Sequence, residues 1–168
     1  NDVTLYAKYE KAQTVWTGNR SDVTFTANND IVKDLAIGDT LYFKVNKVKV
    51  VNNENELGNL DTNSTTGYSS DYNSRNFVLR NRINYSLNNG DTKFISYTFT
   101  NSDSDFINYT KSAGLSIRID ESNCNIQGIY YAKGARYTVK VYDGTTLLDT
   151  VEVGAGTNIS SITPPEKN

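Results

Sequence analysis

Apolar and polar residues alternate with a period of two along much of this chain, which is typical of β-strands with one buried face. The clearest run is Leu41, Phe43 and Val45, which directly follows the turn Ile37–Thr40. The same alternation occurs in four further runs: Phe77, Leu79, Ile83, Tyr85 and Leu87; Ile95, Tyr97 and Phe99; Leu115, Ile117 and Ile119; and Ile126 to Ala132. Short strands separated by turns predict an all-β fold, an antiparallel jelly-roll-like β-sandwich.

The end of the chain predicts a separate β-hairpin. Tyr137, Val139 and Val141 alternate with polar residues up to the turn Asp143–Gly144, and a second strand follows the turn. Because an isolated hairpin is marginally stable in water, we expect it to pack on the first strand or on the sandwich, and we predict that residues 2–9 pair with it. No stretch of the sequence has convincing helical periodicity, and only residues 29–35 predict one short helical turn.

Composition limits the classes of function. The chain has 168 residues and a formal net charge of -2, so no basic surface indicates binding to nucleic acid or to an anionic membrane. It has no apolar run long enough to cross a bilayer. Twelve Tyr and six Phe, with Asn, Thr, Ser and Asp dominating the remainder, are typical of a secreted or cell-surface β-protein. The single Cys124 excludes an internal disulfide, and we expect it to be buried.

The available chemistry argues against catalysis. With no His and one Cys, the chain cannot form a His-based triad or a transition-metal cluster of the usual kind. The neighbouring carboxylates Asp103 and Asp105 lie in a polar turn, where Asp is expected for backbone hydrogen bonding alone. The same pair is a weak candidate for a structural Ca²⁺ site, since hard cations prefer loop oxygens. No other cofactor is expected.

Two terminal segments resemble parts of one extracellular repeat. Tyr137–Gly154 is similar to the opening strands of the Listeria–Bacteroides (internalin-type B) repeat, and Asp2–Tyr9 is similar to its closing strand. The segment similar to the closing strand comes first in the chain, and the segment similar to the opening strands comes last. We therefore expect a piece of a longer surface protein with a repeat on each side. The resemblance implies three parts: 1–10, the closing strand of a preceding repeat; 11–134, a β-sandwich; and 135–168, the opening hairpin of a following repeat.

The middle of the chain resembles carbohydrate-binding β-sandwich modules of gut bacterial glycosidases. The segments that carry the resemblance are Thr14–Gly18, Leu35–Phe43, Asn108–Ile117 and Asn123–Tyr130. The last two resemble the final strands of such modules. Where many relatives have an exposed Trp before Arg80, this chain has only Tyr and Phe. The resemblance implies non-catalytic attachment of an enzyme to a polysaccharide, with α-glucan favoured over β-glucan or mannan.

Sugar binding also follows from the residues themselves, because a module binds a sugar with an aromatic ring under its apolar face and planar polar groups at its rim. Tyr68 and Tyr72 lie in a long polar segment that cannot build a core. Arg80, Arg82 and Asn84 alternate with apolar residues and predict one outward row. Two further candidate rings are Trp16 and Tyr131, the latter because one of two adjacent tyrosines should face outward. Each of these side chains can equally be a solvated or core-packing residue without a ligand.

The sequence therefore predicts a monomeric, extracellular, non-catalytic polysaccharide-binding module. Two alternatives remain open. One is an adhesin or stalk domain of a bacterial surface protein, some of which carry a Lys–Asn isopeptide bond beside a buried carboxylate. The other is a spacer that binds no ligand.

Overall fold

The structure is a computed structural model that describes residues 12–47, 60–61, 76–81, 92–120, 124–162 and 165. Its strands are β1 (Gln13–Arg20), β2 (Asp22–Phe25), β3 (Thr40–Lys47), β4 (Leu60–Asp61), β5 (Asn76–Asn81), β6 (Thr92–Thr98), β7 (Leu115–Asp120), β8 (Cys124–Ala132), β9 (Arg136–Asp143) and β10 (Thr146–Gly154). Its helices are α1 (Asp30–Asp34) and α2 (Ser104–Ala113), and short 3-10 turns lie at Asn101–Asp103 and Ile159–Ser161.

The first eight strands form a sandwich of two four-stranded sheets, as the sequence predicted. The first sheet has the order β1-β8-β3-β6, and the second sheet has the order β2-β7-β5-β4. Consecutive strands lie in opposite sheets, as in a jelly roll. The exception is the pair β4 and β5, which are neighbours in one sheet. The pairs are antiparallel with one exception among the described strands, since β5 runs parallel to β7.

The core lies between the sheets and is formed by the residues with inward parity. Leu41, Phe43 and Val45 on β3 are at most 1% exposed, and Ile117 on β7 is fully buried. Phe77 stands at the centre of an aromatic cluster, with its ring centroid 5.5 Å from that of Phe43. The rings of Tyr97, Phe99 and Phe106 complete this cluster at centroid distances of 5.1, 5.9 and 6.2 Å from Phe77.

Helix α2 corrects the prediction that the chain has no helix beyond one short turn. Its ten residues bury Phe106, Ile107 and Thr110 against the core, and Gly114 ends it at a positive φ of 88°. Residues 108–113, expected to belong to a strand, are helical, and the strand begins only at Leu115. The short turn expected over residues 29–35 is α1, which is capped by the Asn29 side chain. Cys124 is buried, as expected.

Strands β9 and β10 form the predicted hairpin, whose base contacts the sandwich at the turn before β3. The backbone of Gly154 lies so close to the carbonyl of Ile37 that a side chain at Gly154 would clash with it. The Asn101 side chain donates to the Gly156 carbonyl at 2.5 Å and accepts from the Asn158 amide at 2.7 Å. The hairpin is therefore held at its base, and the residues of its turn, Asp143–Thr146, are exposed. Residues 2–9, expected to pair with it, lie outside the described residues.

We predict that Phe77→Ala lowers the free energy of unfolding by roughly 3–5 kcal/mol, because it removes the ring that contacts four others and leaves a cavity. The matched control is Tyr142→Ala, which truncates an aromatic ring that is 53% exposed and should change stability by less than about 0.5 kcal/mol. Urea denaturation monitored by Trp fluorescence measures both. Equal effects of the two substitutions would contradict the proposed core.

Candidate functional site

Tyr131, a candidate platform for sugar stacking, is buried, so the expectation that it faces outward is wrong. Its side chain is 4% exposed, and its hydroxyl donates to Asp39 Oδ2 at 2.7 Å. Of the two adjacent tyrosines, Tyr130 is the one that lies on the outer face, where its ring covers Gly128. The reason for the inward orientation of Tyr131 is the carboxylate of Asp39, which requires buried donors.

Asp39 joins the sandwich to the hairpin. Its carboxylate is fully buried and accepts hydrogen bonds from the backbone amides of Ala36 and Gly134, both at 2.8 Å. Arg136, the first residue of β9, donates from Nη1 to Oδ1 at 2.6 Å and from Nη2 to Oδ2 at 2.9 Å. This two-point geometry fixes the direction in which β9 leaves β8.

The hydrogen bonds also determine the ionisation of Asp39. Burial by itself would raise its pKa, but the donors Arg136, Tyr131, Gly134 and Ala36 together hold the pKa below its ordinary value of 3.8. Burial and the hydrogen bond to Asp39 raise the pKa of Tyr131, and the hydrogen bond to Asp39 raises that of Arg136. The cluster is therefore a charged Asp–Arg pair with a neutral Tyr at neutral pH.

We predict that Asp39→Asn lowers the free energy of unfolding by on the order of 3 kcal/mol at neutral pH, since it leaves Arg136 without its charged partner. A carboxyl whose pKa is lowered in the folded state stabilises it above the ordinary pKa and loses this contribution as pH falls through the folded value. The stability difference between wild type and Asp39→Asn should therefore shrink progressively below pH 3.8.

The comparison for this experiment is Tyr131→Phe, which removes one donor to the Asp39 carboxylate but leaves Arg136 paired, so that its cost of about 1.5–3 kcal/mol at neutral pH should also shrink as Asp39 is protonated. Denaturant melts from neutral pH down to about 2 give all three profiles. A wild-type advantage over Asp39→Asn that is the same at acidic and neutral pH would contradict the charged pair.

Asp103, a candidate calcium ligand, is instead 3% exposed and engaged with the protein. Its Oδ1 accepts from the Tyr97 hydroxyl at 2.9 Å, and its Oδ2 accepts from the Thr100 amide at 2.8 Å. Burial and this carboxylate raise the pKa of Tyr97. Asp105 is exposed in the first turn of α2. The described part of the chain contains no group of three or more acidic, His or Cys side chains that would hold a metal ion.

Trp16 is half-buried and packs against the edge of the core. A register irregularity between Thr14 and Trp16 interrupts the alternation of β1, so that both Val15 and Trp16 contact the core cluster. The indole covers Gly18, which leaves no space there for a side chain. The premise that Trp16 must point outward when Val15 points inward is therefore wrong, and any platform role is limited to the exposed part of the ring.

The other candidates lie at or beyond the limits of the described residues. Tyr68, Tyr72, Arg82 and Asn84 are outside them. Arg80 is a residue of β5, paired with Asp120 of β7, and its backbone position alternates with the buried Phe77 and Leu79. Strand parity therefore assigns the Arg80 position to the outer face of the second sheet.

The same face of the second sheet has a polar hollow that the sequence did not single out. It has a volume of about 360 Å³ and is lined by Ser21, Asp22, Thr24, Ser116, Arg118 and Ile119. Asp22 pairs with Arg118 and Thr24 with Ser116 across β2 and β7, and the hydroxyls of Thr24 and Ser116 are 3.1 Å apart. Their outward parity was visible in the sequence, because Ser116 and Arg118 alternate with Leu115, Ile117 and Ile119.

The hollow offers hydrogen-bonding groups of three kinds. Arg118 supplies a planar donor, Asp22 a carboxylate acceptor, and the hydroxyls can act as both. Its volume is within the range of small-molecule sites, and Ser116 and Arg118 pair with Asn76 and Val78 on β5, the strand that carries Arg80. The hollow and the strand position of Arg80 therefore lie on one sheet face.

Comparison of the chain with protein-family models, with curated proteins and with solved structures finds no match. The resemblances to carbohydrate-binding modules and to internalin-type repeats thus rest on the sequence segments alone. Among the described helices, none has the length and hydrophobicity needed to cross a membrane.

Proposed function

We propose that this chain is a non-catalytic polysaccharide-binding module that attaches an extracellular bacterial enzyme to its substrate. The observation that carries the proposal is the polar hollow on the outer face of the second sheet, beside the strand position of Arg80. An antiparallel sandwich buries one face of each sheet and leaves the other for a ligand. Arg118 and Asp22 would bind the hydroxyl rim of a sugar.

The aromatic platform in this proposal comes from the polar segment before β5. Tyr72 precedes Asn76 by four residues, which span at most about 14 Å, and Asn76 pairs with Ser116 at the hollow. Chain length therefore permits the Tyr72 ring to reach a sugar bound there. Starch-like α-glucan is the leading ligand, as the resemblance implies, and β-glucan or mannan follows. The affinity of one module for the polysaccharide is weak. The affinity of the whole protein increases when neighbouring modules bind the same polysaccharide.

We predict that Arg118→Ala lowers affinity for the bound glucan by roughly tenfold or more, since a hydrogen bond to a charged group contributes about 1.5–3 kcal/mol. Affinity electrophoresis in gels that contain amylopectin, β-glucan or mannan measures the change. The matched control is Lys140→Ala, which removes the same charge from an exposed site on the hairpin and should leave retardation unchanged. Failure of the wild-type chain to bind any glycan in a broad panel would contradict the proposal.

The double variant Tyr68→Ala, Tyr72→Ala tests the platform separately. Loss of retardation with an unchanged unfolding midpoint is expected if these rings stack on the sugar, because stacking contributes to binding and not to the core. Retardation equal to wild type would show that the platform lies elsewhere.

A stalk domain of a surface protein is the second candidate, and the rigid Asp39 junction is the observation that favours it. A stalk domain must hold the next part of the protein at a fixed angle. The Asp39–Arg136 pair fixes the angle between the sandwich and the hairpin. The isopeptide form of this idea has less support. In the described residues, the groups bonded to the buried carboxylates Asp39 and Asp103 include no Lys or Asn side chain. An intact mass lower than the sequence mass by one ammonia would favour the isopeptide form.

A further inference from the structure

The outer face of the first sheet has a row of positions that runs across three of its strands. Lys44 of β3 pairs with Phe94 of β6 on one side and with Gly128 of β8 on the other. Lys44 has the parity opposite to that of the buried Phe43 and Val45, so it points away from the core. Because directly paired residues share a face, the three positions form one line across the outer surface of the sheet.

The ring of Tyr130 occupies the Gly128 end of this line. Its hydroxyl end lies so close to the Gly128 backbone that a side chain there would clash with it. Residues two apart in a strand are separated by about 6.6 Å along it, so the ring reaches Gly128 only by lying along the sheet surface. Since Tyr130 is half-buried, part of one broad face of this ring reaches solvent.

The side chains on this line are therefore a ring, a cation and a second ring. Lys44 Nζ lies 6.0 Å from the centroid of the Phe94 ring, which is the range of a cation–π interaction, and Phe94 is 37% exposed. Tyr42 pairs directly with Tyr130 and adds a third ring beside it. Tyr42 is 8% exposed, yet it does not belong to the core cluster between the sheets. Aromatic surface and one ammonium group are thus gathered outside the core.

Lys44 gives this face a positive charge. It forms no ion pair within the described part of the chain. The hollow on the second sheet differs, since it combines Arg118 with Asp22. A cation with no carboxylate on its own face favours an anionic ligand, although the chain as a whole has a formal net charge of -2. The other outward positions that the register of β3, β6 and β8 assigns are uncharged: Thr40, Tyr42, Asn46, Thr92, Ser96, Thr98, Asn125 and Ala132.

We propose that Phe94, Lys44 and Tyr130 form a second glycan-binding site, which takes a sugar residue that carries an anionic group, a carboxylate or a sulfate. The Tyr130 ring stacks under the apolar face of the sugar, and the Lys44 ammonium pairs with the anionic group. Neighbouring strands are about 4.8 Å apart, so the ammonium and the ring lie side by side under a single sugar residue. The module then has two sites of different charge preference on its two sheets.

Affinity electrophoresis of the full chain in native gels tests this site, with mobility in a gel without polysaccharide as the reference. The gels contain polygalacturonate, dextran sulfate or amylopectin. We expect retardation in at least one of the two anionic gels. Retardation by polygalacturonate identifies a carboxylate as the anionic group, and retardation by dextran sulfate identifies a sulfate. No retardation in either anionic gel would overturn the proposal.

Two variants locate the binding. Lys44→Gln should lower affinity for the anionic polysaccharide roughly tenfold, and Tyr130→Ala roughly fivefold, because they remove the ion pair and the stacking ring. The matched controls are Lys140→Gln and Tyr142→Ala, which remove the same groups from exposed positions of the hairpin and should leave affinity unchanged. Equal losses in the controls would show a nonspecific effect and would overturn the proposal.

The substitution Gly128→Ala tests the orientation of the ring. The three atoms nearest to the added Cβ all belong to the end of the Tyr130 side chain, so the substitution displaces this ring. We expect affinity for the anionic polysaccharide to fall with an unchanged unfolding midpoint. Combining Gly128→Ala with Tyr130→Ala should give no further loss, because both act through one ring. Additive losses would overturn the geometry of the site.

The amylopectin gel separates this site from the hollow of the proposed function, because the two lie on opposite sheets. Retardation by amylopectin without retardation by either anionic polysaccharide would overturn the second site and leave the hollow supported. Retardation by an anionic polysaccharide alone, lost in Lys44→Gln, would support the second site without supporting the hollow.

Discussion

The buried carboxylate of Asp39 is the constraint on which the arrangement of this molecule depends. A charge removed from water is tolerated only when its oxygens are bonded and its charge is matched. Asp39 meets this requirement with two backbone amides, one tyrosine hydroxyl and the guanidinium of Arg136. Those groups belong to the turn before β3, the end of β8 and the start of β9. The position of the hairpin is therefore determined by the same interaction that closes this end of the sandwich.

A second buried carboxylate, Asp103, organises the neighbouring part of the same end. It holds Tyr97 and Thr100 at the start of the turn that leads into α2, and the adjacent Asn101 bonds to the segment after β10. Asp39 and Asp103 thus both stabilise the fold, and their carboxylate oxygens accept hydrogen bonds from groups of the protein. These structural polar interactions therefore lie together at the end of the sandwich that holds the hairpin.

The strands of the sandwich were predictable because their signal is local: an inward side chain at every second residue is visible in the sequence itself. Helix α2 was missed because its few buried apolar residues, chiefly Phe106 and Ile107, lie among Ser, Asn and Asp. A usable signal was present in Thr100-Asn-Ser-Asp103, whose Thr and Asp form the capping box of the 3-10 turn that leads directly into α2. The parallel pairing of β5 with β7 depends on which strands meet, and alternation within a strand contains no such information.

For the site candidates, strand parity could predict the face of a strand position and nothing more. Parity gave the outward positions of Arg80, Ser116 and Arg118, but it could not tell which of two adjacent tyrosines is buried. That choice is made by Asp39, which is 92 residues from Tyr131 in sequence. Trp16 shows the related effect of an irregular register, which only pairing with β8 reveals. Among the described residues, those whose outward direction follows from parity, Ser116 and Arg118, line one hollow with Asp22 and Thr24 on the outer surface of the second sheet.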